Sequence, residues 1–252
     1  MSKVLITTVP FGKGNPLPIE MLENAGAKYL INPFNVRLKE NQLIDLIKDF
    51  DIIIAGTEPI TKLVMESAKR LKLISRVGIG LDNVDLVHAK KLGIRVSYTP
   101  EAPAPAVAEL TIGLMFSLLR SIHVANLEIH KGIWKRHYGR RIPEVTIGII
   151  GVGRIGTRVL NQLMGFGPPK ILVNDISPNP SLDQEYNLSW VTKEQIFREA
   201  DLISLHLPLT SLTKDMVCKE QLMSMKSNAL LINTSRGGII NEGDLYSVMK
   251  SG

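Results

Sequence analysis

The sequence predicts an α/β protein built from two doubly wound parallel sheets. Three observations carry this reading. Residues 1–100 alternate short β-rich runs with helical stretches. The stretch "TPEAPAPAVAEL" then places Pro100, Pro103 and Pro105 within six residues, a density that stops regular structure and stiffens the chain. The alternation resumes at "VTIGIIG", which begins at Val145. Helices between successive strands are what parallel pairing requires, and they cover both faces of the sheet. The 252 residues suffice for two domains with cores of their own.

The elements follow in order. "VLITTV" (4–9) is a strand and "PIEMLENAG" (18–26) a helix with Gly26 as its stop signal. "AKYLINP" is a strand, "ENQLIDLIKDF" a helix and "DIIIAG" (51–56) a strand. Thr61 opens the helix of "TKLVMESAKRL", and "KLISRVG" (72–78) is a strand. Gly93 closes the helix of "NVDLVHAKKLG", and "IRVSY" completes the set. The prolines mark a boundary between a first domain, 1–100, and a second, 101–252. A long helix at about 106–130 opens the second domain. It is apolar over most of its circumference, which predicts burial, partly against another subunit. Strands are then expected at 145–150, 171–174, 188–190, 202–206 and 229–233.

Composition narrows the function classes. Hydrophobic residues make up 44% and charged residues 21%, as in a globular protein. The net charge of +6 is spread out, with 14 Lys/Arg against 10 Asp/Glu in residues 1–100 and 16 against 14 thereafter. Nucleic-acid binding therefore has no focused patch. The densest basic stretch, "HKGIWKRHYGRR" (130–141), reads as a solvated loop ahead of an anion site. A lone cysteine, Cys218, excludes an internal disulfide and fits a reducing, cytoplasmic setting; it reads as a small half-buried residue. The longest apolar run, "LTIGLMFSLL", is too short to span a bilayer, so no membrane partner is expected, and no metal cluster is predicted.

The strongest motif is "IGIIGVGRIG", with Gly151, Gly153 and Gly156 in G-x-G-x-x-G spacing. It follows a β-branched strand and opens a helix, the context in which the spacing has a mechanism. Gly151 permits the tight turn, Gly153 lets a pyrophosphate approach the backbone, and Gly156 lets the helix pack on the strand. The helix N-terminus supplies free N–H groups to the phosphates. Asp175, 19 residues after Gly156 at the end of the next strand, can accept hydrogen bonds from a ribose and would repel a 2′-phosphate. No Arg follows it in "ISPNP", so NAD is the expected cofactor of a Rossmann-like domain.

Beyond this motif the chain resembles the D-isomer-specific 2-hydroxyacid dehydrogenases, most closely their D-3-phosphoglycerate dehydrogenase-like members. The stretches that carry the resemblance are "RVGIGLDNVDLVHAKKLGIRV" (76–96), "TPEAPAPAVAELTIGLM" (99–115), "IGIIGVGRIG" (147–156), "ADLISLHLPLTSLTKDMV" (200–217) and "NALLINTSRGGIINEGDL" (228–245). The resemblance implies a flavodoxin-like substrate domain over 1–100, an NAD-binding Rossmann domain over 101–252, and an active site in the cleft between them. It implies a homodimer formed through the long helix, and a small 2-hydroxy or 2-oxo acid as substrate.

Position by position, the resemblance makes Gly78, Ile79 and Gly80 the turn whose N–H groups hold the substrate carboxylate. Arg154 and Ile155 lie over the pyrophosphate. His206, Leu207 and Pro208 form the adenine wall, with Thr213 as their hydrogen-bonding neighbour, and Thr234 is the carbonyl on the nicotinamide side. Arg236 is the catalytic arginine, whose planar guanidinium would grip the carboxylate and the 2-oxo group and stabilise the developing oxyanion.

Two departures qualify the resemblance. Phosphoglycerate dehydrogenases usually carry an Arg-Ser pair after the third strand, where this chain has Gly56 and Thr57. A dianionic phosphate wants a guanidinium, so 3-phosphoglycerate is in doubt unless Arg37 or Lys39 compensates. The family also pairs hydride transfer with a Glu/His acid–base pair beyond the catalytic arginine. Only 16 residues follow Arg236. The expectation is therefore a C-terminally truncated member whose cofactor domain lacks its last strand and the return helix, with impaired turnover. The alternative is a non-catalytic NAD(H)-binding, co-repressor-like protein. Of the histidines, His88 reads as surface, His123 and His130 sit on the long helix, His206 belongs to the adenine wall, and none, His137 included, is placed as a general acid.

Overall fold

The computed structural model describes residues 1–251, apart from the side chain of Gln184. The chain divides into two compact units, Met1–Pro103 and Ala104–Gly252.

The first unit runs β1 (Lys3–Ile6), α1 (Leu17–Asn24), β2 (Lys28–Ile31), α2 (Glu40–Ile47), β3 (Ile52–Ala55), α3 (Lys62–Ser67), β4 (Leu73–Arg76), α4 (Leu86–Lys91) and β5 (Arg95–Tyr98). All strands are parallel, in the order β2-β1-β3-β4-β5. The apolar runs "VLI" and "III" are what a sheet covered on both faces needs. Leu5, Ile53, Ala55 and Ile74 from the strands pack with Leu43, Ile47, Val64 and Met65 from α2 and α3 in one core. Side chains set the helix starts. The Thr61 hydroxyl accepts from the Val64 N–H at 3.4 Å, and Asp85 accepts from the His88 N–H at 2.8 Å.

The second unit runs α5 (Ala104–Leu119), α6 (Ile122–His130), a 3₁₀ turn at Ile142–Glu144, β6 (Thr146–Ile150), α7 (Arg154–Met164), β7 (Lys170–Asn174), α8 (Ser181–Tyr186), β8 (Leu188–Trp190), α9 (Lys193–Glu199), β9 (Leu202–Leu205), α10 (Lys219–Ser224), β10 (Leu230–Asn233) and α11 (Glu242–Ser251). Its five strands are parallel, in the order β10-β9-β6-β7-β8. In both sheets the order reverses at one point: between β1 and β3 in the first, between β6 and β9 in the second. Loops leaving those strands diverge and open a crevice at their carboxyl ends.

One element departs from its expectation. The single long helix predicted at about 106–130 is two helices, α5 and α6, bent by 66°. No proline or glycine causes the break. Ser121 adopts a left-handed conformation with φ 52°. The carbonyls released by the bend find other donors: the Arg140 N–H reaches Leu119 O at 3.0 Å, and His123 Nδ1 lies 3.2 Å from Ser117 O. Nor is the segment buried around its circumference. α5 buries one stripe, Ala104, Ala108, Thr111, Ile112, Met115 and Leu119, while α6 buries nothing and exposes Ile122, Leu127 and Ile129. Among the described residues no single helix is long and apolar enough to cross a membrane.

Candidate active site

In the second unit the crevice is walled by the glycine turn and by the loop after β9. Gly151 has φ +97°, which an L-side chain adopts only with strain, and a Cβ there would lie 2.4 Å from His206 O. A Cβ on Gly156 would lie 2.1 Å from Gly151 O, so α7 packs against the turn with no room for one. A Cβ on Gly153 would meet nothing within 4 Å. The space over Gly153, at the N-terminus of α7, is therefore open, as a phosphate approaching a helix N-terminus needs. Arg154 and Ile155 form the first turn of α7, Arg154 exposed and Ile155 packed on the core.

Asp175 stands just past β7. Its Oδ2 accepts from the Val152 N–H at 2.7 Å and its Oδ1 from the Ser177 N–H at 2.9 Å. The carboxylate thus fixes the glycine turn besides facing a cavity of about 440 Å³ shared with Trp190, Thr192 and Lys193. Sequence reasoning gave Asp175 only the ribose.

His206 follows β9, and its Nε2 lies 2.9 Å from Ser204 Oγ. Its Nδ1 is buried with no protein partner among the described residues. Burial pushes the imidazole down to about 4, so it is neutral at physiological pH. Leu207 packs on the core, and the loop beyond is tied by Thr213, whose hydroxyl donates to Pro208 O at 2.6 Å and accepts from the Thr210 N–H at 2.8 Å.

Thr234 and Arg236 lie just past β10. Asn233 organises this loop: its Nδ2 donates to Arg236 O at 2.7 Å, and its Oδ1 accepts from the Ser235 N–H at 3.0 Å and the Ser235 hydroxyl at 2.7 Å. Arg236 is half-buried, and its Nη1 donates to Ser235 O at 2.8 Å. The Thr234 hydroxyl lies 2.9 Å from that of Thr111, which is fully buried on α5. Sequence reasoning missed Thr111. The signal was there: a hydroxyl on the otherwise apolar inner stripe of α5 needs a partner.

In the first unit, Gly78 takes φ +141° just after β4. Its N–H is donated to Thr99 Oγ1 at 2.8 Å, so of the turn's three N–H groups this one is engaged within the protein. His88 is not a plain surface residue, as the sequence suggested. Its side chain is 14% exposed, and Nε2 stands 3.6 Å from the Glu66 carboxylate, beyond hydrogen-bond reach. Cys218 is half-buried and points Sγ at Gln221 Oε1, 3.0 Å away. Among the described residues no cluster of three or more His, Cys, Asp or Glu side chains could hold a metal ion.

The family model for the NAD-binding domain of D-isomer-specific 2-hydroxyacid dehydrogenases matches residues 112–252. The chain belongs to that family. It is 36% identical over 241 residues to a hydroxypyruvate reductase of Thermotoga maritima, covering 94% of this chain and 78% of the relative. It is 36% identical over 264 residues to a D-3-phosphoglycerate dehydrogenase of Methanocaldococcus jannaschii, covering all of this chain but only 47% of that longer relative. Among solved structures it resembles D-lactate dehydrogenase of Aquifex aeolicus complexed with NAD and lactic acid. The TM-score is 0.83 and the identity 28%, over 99% of this chain and 74% of the other. The family is one of oxidoreductases acting on 2-hydroxy acids, and NAD is its cofactor. The open space over Gly153 and the half-buried Asp175 beside it fit that cofactor.

Proposed function

We propose that this chain is an NAD-dependent D-2-hydroxyacid dehydrogenase, interconverting a small 2-hydroxy acid and its 2-oxo acid. The observation that carries the reading is the loop after β10, where Asn233 brackets Arg236 and Thr234 is tied to α5. With its main chain fixed by Asn233, Arg236 can present parallel N–H donors to the carboxylate and the 2-oxo group together. It lowers the barrier by stabilising negative charge on the carbonyl oxygen as reduction proceeds.

Gly151, Gly153, Arg154, Ile155 and Gly156 would hold the pyrophosphate, Asp175 the ribose, and His206, Leu207, Pro208 and Thr213 the adenine side. Thr234 would hold the carboxamide side, and Gly78, its own N–H spent on Thr99, would shape the turn from which Ile79 and Gly80 hold the substrate carboxylate together with Arg236. When bound, the nicotinamide supplies or accepts hydride. The exposed apolar side chains of α6 suit a second copy of the chain, and a homodimer is part of the proposal. Hydroxypyruvate and glyoxylate are the first substrates to test, because relatives at 36% and 34% identity are named for them.

A second reading is NAD(H) binding without turnover. It is favoured by one observation: the ties that order the cofactor side, Asp175 to Val152 and Thr234 to Thr111, build a pocket without engaging any imidazole. Titration of NADH, followed by its oxidation against a panel of 2-oxo acids, separates the two. Binding with turnover supports the dehydrogenase, binding without turnover supports the second reading, and no binding defeats both.

A further inference from the structure

The crevice of the first unit, where strand order reverses between β1 and β3, contains a buried carboxylate. Glu58 follows β3 and is 1% exposed. Its Oε1 accepts from the Thr7 hydroxyl, at the end of β1, and from the Gly56 N–H at 3.0 Å. The Thr7 hydroxyl also lies 3.2 Å from Ile54 O. No lysine, arginine or histidine forms an ion pair with it among the described residues.

Two guanidiniums share this loop, bonded to neutral acceptors and not to the carboxylate. Arg37, at the surface, donates Nε and Nη2 to Thr57 O at 3.1 and 2.8 Å, and Arg76 directs Nε to Asn83 Oδ1 at 3.4 Å. Asn83 in turn donates to Gly56 O and Glu58 O at 3.2 and 2.7 Å. The loop is therefore held in a fixed shape around the carboxylate.

Gly56 is part of the same device. A Cβ on it would sit 3.0 Å from Glu58 Oε2 and 3.1 Å from the Thr8 Cα. A side chain at position 56 would press on the carboxylate in this pose, and Glu58 or the Thr8 backbone would have to give by a few tenths of an ångström.

We propose that Glu58 is a charge filter: the first unit takes a 2-oxo acid with an uncharged tail and rejects one whose tail carries a phosphate. The inference rests on the dehydrogenase reading and adds its substrate class. A buried charge is screened little by salt, and a phosphate dianion brought to this crevice meets repulsion with no guanidinium at 56 to offset it. The acid's own carboxylate is common to both ligands and cancels from the comparison.

The test is calorimetric. NAD⁺ is titrated first into the whole chain. Hydroxypyruvate and 3-phosphohydroxypyruvate are then each titrated into the NAD⁺-saturated protein, in which a 2-oxo acid cannot be reduced. The wild type is expected to prefer hydroxypyruvate by about tenfold or more. Glu58→Gln keeps the shape and the acceptor oxygen while removing the charge, and is expected to shrink that preference about tenfold. Thr7→Val removes a donor and keeps the charge, and should leave the preference within about twofold. Equal binding of the two acids by the wild type overturns the proposal, whether or not the Gln variant folds. So does an unchanged preference in a Gln variant with a normal thermal transition. NAD⁺ binding without this discrimination overturns the charge filter alone. Failure to bind NAD⁺ overturns the dehydrogenase reading and the filter with it.

Discussion

The side-chain hydroxyls of Thr111 and Thr234 lie 2.9 Å apart although 123 residues separate them in the chain. Thr111 also lies 2.8 Å from Val107 O, to which it donates its only proton. The bridging proton must therefore be that of Thr234, whose hydroxyl is fixed from behind by α5. Thr111→Val keeps the shape and removes the tie. It should cost about 1 kcal/mol of unfolding free energy and weaken NADH several-fold. Urea denaturation and NADH fluorescence titration check this; a variant with unchanged affinity would show that the tie does not serve the cofactor.

Gly153 and Gly156 should respond differently to alanine. Gly156→Ala drives a methyl to 2.1 Å from Gly151 O and should lower the thermal transition, with a stability loss of about 1–3 kcal/mol. Gly153→Ala meets no protein atom within 4 Å, so the melting temperature should hold while NADH affinity drops by about tenfold or more. Similar melting curves for both variants would count against this assignment of the turn.

Arg236→Lys keeps the charge and loses the planar fork. NADH binding should be unchanged within about twofold, while 2-oxo acid binding and any turnover fall about a hundredfold. Stopped-flow or steady-state oxidation of NADH measures the second effect, and full activity in the lysine variant would remove Arg236 from its role.

His206 makes stability depend on pH with a definite sign. Burial lowers its folded value to about 4, below the ordinary 6.5, so between those values the unfolded chain binds the extra proton. Its contribution is fully present above pH 6.5 and is lost as the pH falls towards 4, by roughly 3 kcal/mol at the limit. His206→Asn should flatten this part of the curve in urea denaturation at successive pH values. A wild-type curve level from pH 7 to 4.5 would contradict the burial.

Much of this architecture is legible because local chemistry and global fold agree. The β-branched runs, the stops at Gly26 and Gly93, and the capping Thr61 and Asp85 act over a few residues, and the strands stand where the pattern puts them. The break at Ser121 was invisible because neither proline nor glycine marks it, and the Leu119 carbonyl that it releases is taken up by Arg140 across a loop. For the same reason the ties Asp175–Val152, Gly78–Thr99 and Thr111–Thr234 could not be read in advance. Residue type showed that a partner was needed, but only the folded chain shows which one.

β10, which carries Thr234 and Arg236 at its carboxyl end, stands last in its sheet and pairs with β9 on one side among the described residues. A strand held from one side opens more readily than β6, which is held from two. Amide protons of Leu230–Asn233 should therefore exchange with deuterium sooner than those of Ile147–Ile150. The arginine proposed for the chemistry would then ride on one of the two loosely latched strands of its sheet, and a ligand that grips Arg236 should slow exchange there first.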